Sequence, residues 1–171
     1  MNEQKWDLNR LDNGELSALR RAAGASGADI PALRAFYKAC GYCDPRVEKY
    51  WFPALCMDAL WRPADAPAVR SMEECLRAML ADGSDTTKSL QHRVEMLLET
   101  PWNDDGFLLG KLLNLVKILK SRTNLKPDFQ ALADDLRRWN YTEQPVQRRW
   151  LRTLYNTKME EDAKEETPND A

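Results

Sequence analysis

The side chains best equipped for chemistry in this chain are cations gathered in its C-terminal half. Residues 106–158 hold 11 Lys and Arg against 4 Asp and Glu, whereas residues 1–105 hold 13 against 17. From 160 to 171, six acids face a single base, Lys164. The formal net charge of −2 therefore averages a basic block against an acidic end. Arg137, Arg138, Arg148, Arg149 and Arg152 fall on two consecutive amphipathic segments, beside Trp139, Tyr141 and Trp150. Lys111, Lys117 and Lys120 trace a polar stripe along the segment before them. Cations clustered in this way bind phosphate backbones through counterion release, with no need to read bases. Ordinary solvated helix faces are the competing reading, and composition alone leaves the two about even. Trp139 and Trp150 fall on apolar faces and read as core residues.

Other chemistry finds less footing. His92 is the only histidine, it sits inside a helical pattern beside Arg93, and a triad would need it to meet a Ser or Cys nucleophile. No glycine-rich phosphate loop is present, and a helical chain lacks the strand such loops follow. Adjacent acids such as Asp134-Asp135 and Glu73-Glu74 point about 100° apart on a helix, as solvated faces do. Cys40 and Cys43, with Cys56 and Cys75, offer four thiols that in principle hold zinc. Cys56 and Cys75, however, fall singly inside amphipathic segments, where cysteine behaves as a small hydrophobe. The expectation is no catalysis, no metal and no cofactor.

The elements that position these residues read as helices almost throughout. Asp12 with Glu15 forms a capping box for a helix to about residue 23, broken by the glycines at 24–27. Asp29 with Pro31 opens a second helix that ends at Gly41. Asp44-Pro45 opens a third through Trp51, which Pro53 is expected to kink or divide. A linker follows over 62–67. Ser71 with Glu74 caps a helix to Ala81, and residues 82–85 are the expected lobe boundary. Further helices read over 88–99, over 105–122 (capped by Asn103-Asp104), from Pro127 and from Thr142. The helix over 105–122 shows polar residues on one stripe only, so most of its circumference is buried. Phe129, Leu132, Leu136 and Trp139 share one face of the next helix. Val146, Trp150, Leu151, Leu154 and Tyr155 are expected to face the core from the last.

A hydrophobic content of 43% supports a packed core. No apolar run approaches the roughly 18 residues that span a bilayer, and the first residues do not read as a secretion signal, so the expected location is cytoplasmic. The expected fold class is all-α: two packed helical lobes of about eight helices, residues 1–84 and a basic lobe over 85–159, with a disordered acidic tail over 160–171. That tail reads as a solubilising end or as an electrostatic competitor for the basic surface.

Trp6, Leu11-Asp12-Asn13-Gly14 and Ala18-Leu19-Arg20-Arg21 resemble the opening of the CasB family, the small subunit of the type I-E CRISPR complex Cascade. The resemblance continues through Pro31, Phe36-Tyr37, Gly41 and Pro45-Arg46. It resumes at Arg93 and Leu97-Leu98, at 112–116, and from Asp128-Phe129 through Trp139, Val146, Trp150 and Tyr155. It implies a non-catalytic subunit working with the other Cascade subunits, a second copy of itself, guide RNA, and the target and displaced DNA strands. It implies neither a small-molecule substrate nor a membrane. By position it also adds Arg21, Arg46 and Arg93 to the candidate nucleic-acid contacts. Where the family often shows two arginines, this chain reads Leu112-Leu113-Asn114-Leu115-Val116, so charge there must come from Lys111, Lys117 or Lys120. An adaptor acting only through protein contacts is the alternative function.

Overall fold

The computed structural model describes residues 4–24, 28–63, 67–81 and 85–156. The acidic tail, most of the expected lobe boundary, and the middle of the 62–67 linker lie outside the described residues, as do 25–27 of the glycine break. Within them the chain forms a short 3-10 turn (Leu8–Arg10) and eight α-helices. These are α1 (Asn13–Ala22), α2 (Ile30–Cys40), α3 (Glu48–Asp58), α4 (Met72–Met79), α5 (Asp85–Glu99), α6 (Phe107–Arg122), α7 (Phe129–Arg137) and α8 (Pro145–Tyr155). Strands β1 (Ala68–Arg70) and β2 (Leu125–Pro127) pair in parallel, with Val69 opposite Lys126. The fold is thus the all-helical one expected.

Local chemistry accounts for the helix starts. The Asp12 carboxylate accepts from Glu15 N at 2.8 Å, and Glu15 Oε1 accepts in return from Asp12 N at 3.0 Å, a complete capping box. Asp29 and Asp128 accept from Ala32 N and Ala131 N in the same way. Several boundaries differ from the sequence expectation. Pro45 lies in a turn, α3 begins only at Glu48, and Pro53 sits inside α3 without dividing it. Gly106, with φ +78°, precedes α6, and Asp105 accepts from Phe107 N. Asp128 starts α7 where Pro127 was expected to, and α8 starts at Pro145 after Gln144 at φ +51°. The two strands were not expected, because three residues are too few to display an alternating pattern.

Helix α3 packs on α7, α1 on α2, α4 on α8 and α5 on α6. Trp61, just past α3, meets Phe129 at the start of α7 with ring centroids 5.5 Å apart, so these two helices run antiparallel. One continuous core extends from Trp6 and Phe36 through Leu55, Leu76 and Leu119 to Trp150. The proposed lobes over 1–84 and 85–159 therefore share a core, with α4 of the first resting on α8 of the second.

A buried carboxylate ties the N-terminal segment into this core. Trp6 Nε1 donates to Asp58 Oδ2 at 2.7 Å, while Lys126 Nζ lies 2.5 Å from Oδ1 as an ion pair. Removing one partner of a buried pair leaves the other charge uncompensated. Asp58→Ala is expected to destabilise the chain by about 3 kcal/mol in urea unfolding, and Asp58→Asn by less because it keeps an acceptor for Trp6. A loss below about 1 kcal/mol for the alanine variant would be a surface pair's value and would contradict this placement.

Candidate nucleic-acid interface

The cations singled out in sequence fall into two groups, those committed to buried acids or backbone carbonyls and those left to solvent. Arg149 is the clearest of the first. Asp135 on α7 is 4% exposed. Its carboxylate accepts from Arg149 and from Trp150 Nε1 at 3.1 Å, and Arg138 stands 3.7 Å away. Arg149 Nε also lies 3.5 Å from Glu73 on α4, so one guanidinium joins α4, α7 and α8. The hydrogen bond to Asp135 raises the Arg149 pKa further, beyond what its partial burial takes away. A cleft of about 520 Å³ opens beside this group, and its lining mixes Lys5, Arg138 and Arg149 with Glu73, Asp134 and Asp135. Such a balanced lattice holds helices together and offers no net field to a phosphate strand.

Arg148 and Arg152 belong to the second group. They lie one turn apart on the side of α8 away from the fully buried Trp150, both are exposed, and no acid pairs with them among the described residues. On α6, Lys111, Asn114 and Lys117 are exposed as expected and Leu112, Leu113, Leu115, Val116 and Leu119 are buried, but the exposed side is wider than the one stripe expected and includes Phe107, Gly110 and Ser121. Lys111 and Lys117 are about 9 Å apart along that helix. Lys111 donates to Thr100 Oγ1 at 2.8 Å, and Lys117 faces solvent. Arg21 on α1 and Arg93 on α5 are exposed too, Arg93 on the flank of α5 away from Gln91 and Glu95, which bind the Tyr155 hydroxyl. Leu151 and Tyr155, expected to face the core, lie at the surface at 38% and 45% exposure. The periodicity of α8 places them on the arginine side, a quarter turn or more from Trp150.

Two gatherings arise only in three dimensions. The antiparallel packing of α3 on α7 brings Arg137 toward the loop before α3. There Asp44 binds Arg46 in a two-pronged pair, with Arg46 Nη2 2.7 Å from Oδ2. Those hydrogen bonds to Arg46, with Arg137 adding to them, hold the Asp44 carboxyl down at about 2. At the other end of α3, Arg20 Nε donates to Ala59 O at 2.6 Å and Lys120 Nζ to Leu60 O at 2.8 Å. Two cations thus meet the negative end of the helix. With Arg62 they line a groove of about 450 Å³ over Trp61. Arg10, Arg20 and Arg62 were not singled out in sequence. Arg20 and Arg21 are adjacent, and only the packing of α1 on α3 tells which one is drawn inward.

The groups considered for catalysis are dispersed. His92 is exposed on α5. Cys56 and Cys75 are buried in different helices, and Cys40 and Cys43 close the end of α2. Among the described residues no three His, Cys, Asp or Glu side chains gather as a metal site. Burial pushes the thiols of Cys40, Cys56 and Cys75 up to about 12.

The family model for CRISPR-associated protein Cse2 matches residues 15–155. The chain belongs to the Cse2 family. Its fold is similar to the crystal structure of M. ruber CasB, with a TM-score of 0.67 and 21% identity over 91% of each chain. It is similar also to a CRISPR-associated protein of the Cse2 family from Thermus thermophilus. That match has a TM-score of 0.66 and 26% identity over 87% of this chain and 93% of that one. No curated protein matches. The CasB resemblance read from 6–155 is therefore correct. In this chain the ion pairs of Arg149 and Asp58 link α4, α7 and α8, and α3 with β2, around the core.

Two outcomes follow for this Cse2 chain. Arg149→Ala leaves Asp135 and Glu73 short of a buried partner and is expected to cost about 2 kcal/mol, reduced from a fully buried pair because Arg149 is partly solvated. Arg148→Ala is expected to change stability by no more than about 0.5 kcal/mol. Equal losses in urea unfolding would contradict the division. For the thiols, the folded chain holds its protons more tightly than the ordinary value of 9.0. Their contribution to stability is complete below that value and falls as pH rises from 9 toward 12. Cys56→Ala with Cys75→Ala is expected to flatten that alkaline loss in a pH series of melting curves; an unchanged series would contradict it.

Proposed function

We propose that this Cse2-family chain is the non-catalytic small subunit of a type I-E Cascade complex. In this reading it binds nucleic-acid backbone without sequence preference and thereby stabilises the opened R-loop. The observation that carries the reading is the outward pair Arg148 and Arg152 on α8, set beside Arg149, which is committed inward. The two exposed guanidiniums are available to phosphates at no cost to the fold. Lys111 and Lys117 on α6, with Arg21, Arg46, Arg93 and Arg137, extend the same supply of charge, while Lys120, Arg138 and Arg149 contribute less because the fold already engages them. Guide RNA, target DNA and displaced DNA are the nucleic acids concerned. The other Cascade subunits and a second copy of the chain are the protein partners, and the cytoplasm is the proposed location. Among the described residues no helix is long and apolar enough to cross a membrane.

The mechanism needs no reacting group. Opening a target exchanges a DNA duplex for a guide heteroduplex of similar stability, so a few kcal/mol of backbone contacts tip the balance. Each cation that meets a phosphate releases counterions, and the gain falls as salt rises. Sequence is read by base pairing alone.

Reversing three solvent-facing charges, Lys117→Glu, Arg148→Glu and Arg152→Glu, is expected to leave assembly with the other subunits intact. It should lower target opening at least about tenfold at low salt, with the deficit relative to wild type narrowing as salt rises. Opening measured by permanganate reactivity of the displaced strand decides between the two functions. An assembled complex that opens its target normally with these reversals would identify the chain as an adaptor acting through protein contacts.

A further inference from the structure

The loop between α2 and α3 carries a second kind of chemistry. Tyr42 at its tip is 80% exposed, more than any other large apolar or aromatic side chain of the described residues. Its position is built in. Gly41 adopts φ +69°, a conformation side chains rarely take, and Tyr42 N donates back to Cys40 O at 2.8 Å. Beyond it Arg46 N donates to Asp44 Oδ1 at 2.9 Å and Val47 N to Asp44 O at 3.0 Å. The turn is therefore closed on both sides of the tyrosine, and its ring is left in solvent.

Arginines from three separate elements converge on the loop that carries this ring. Arg10, in the turn before α1, places Nη1 3.3 Å from where a Cβ on Gly41 would stand. Arg46 lies in the loop itself with its side chain 88% exposed. Arg137, exposed at the end of α7, reaches the field of Asp44 through the packing of α3 on α7. The acids nearby are Asp44 and Glu48. Asp44 is already paired with Arg46, and Glu48 accepts from the Tyr37 hydroxyl. Asp7 also lies at this end of α2, its N donating to Ala39 O. The three acids are half-buried, whereas the three arginines and the Tyr42 ring are exposed together.

We infer that this turn is a stacking point for an unpaired base, with Tyr42 under the base and Arg10, Arg46 and Arg137 on the flanking phosphates of a single DNA strand. The occupant follows from the chemistry. A base in a duplex has both faces covered by its neighbours, whereas an unpaired base offers a face to an aromatic ring, and stacking is tolerant of base identity. The inference rests on the backbone-binding reading and narrows it to single strands at this position.

The test is anisotropy of the full-length chain with three labelled probes: a single strand, the same strand made abasic over several positions, and a duplex. Wild type is expected to prefer the intact strand to the abasic one. Tyr42→Leu should weaken the intact strand about tenfold, abolish that preference and leave duplex affinity unchanged. Tyr42→Trp should keep the preference and report it through quenched tryptophan emission. Because Tyr42 is exposed, thermal melts of both variants are expected to match wild type. Equal wild-type affinity for intact and abasic strands, or an unaltered Tyr42→Leu variant, overturns the stacking point while leaving backbone binding standing. Failure of wild type to bind any probe overturns both.

Discussion

The buried carboxylate of Asp135 is the constraint on which the presentation of charge depends. An ion taken out of water costs several kcal/mol unless donors replace its hydration. Here the donors come largely from one place, the adjacent Arg149 and Trp150 of α8. Meeting that demand fixes how α8 is rotated about its own axis. With Arg149 and Trp150 turned toward α7, helical geometry leaves Arg148 and Arg152 on the solvent side. One buried acid therefore sorts a run of arginines into those that hold the bundle and those that face outward.

The same logic operates elsewhere with different donors. Asp58 takes Trp6 and Lys126, which ties the N-terminal segment to β2 and leaves no lysine of that strand for a ligand. The last carbonyls beyond α3 take Arg20 and Lys120. On α6 the sorting is done by apolar burial, since Leu108, Leu112, Leu115, Val116 and Leu119 can be covered only if Lys111 and Lys117 lie on the opposite side. Asp44 differs, being a half-buried acid at the surface whose two arginine neighbours hold its carboxyl down at about 2. It positions Arg46 without withdrawing it from solvent.

Much of this was legible from residue order. Helix existence followed from caps and apolar spacing, and the stripe of α6 and the burial of Trp139 and Trp150 came directly from periodicity. What periodicity does not report is which member of a basic pair is turned inward. Arg20 against Arg21 and Arg148 against Arg149 are alike as sequence, and a buried Asp135 or a free carbonyl at Ala59 distinguishes them only after the helices pack. Pro53 misled because a proline one turn inside a helix removes a single hydrogen bond, which the packing of α3 on α7 outweighs. Leu151 and Tyr155 are apolar in type, but their angular positions on α8 put them beside the arginines and at the surface. Arg10, Arg46 and Arg137 converge on the loop between α2 and α3 from positions far apart in the chain, and no local pattern announces it.

The central claim is that the solvent-facing cations bind phosphate backbone and read no sequence. It is tested most directly by the affinity of the full-length chain for two unrelated single strands of equal length, followed across a range of salt. The account expects the same affinity for both within about twofold. It also expects log affinity to fall linearly with log salt, with a slope near −0.7 for each phosphate contacted. A preference of more than about tenfold for one strand, or an affinity indifferent to salt, would contradict it.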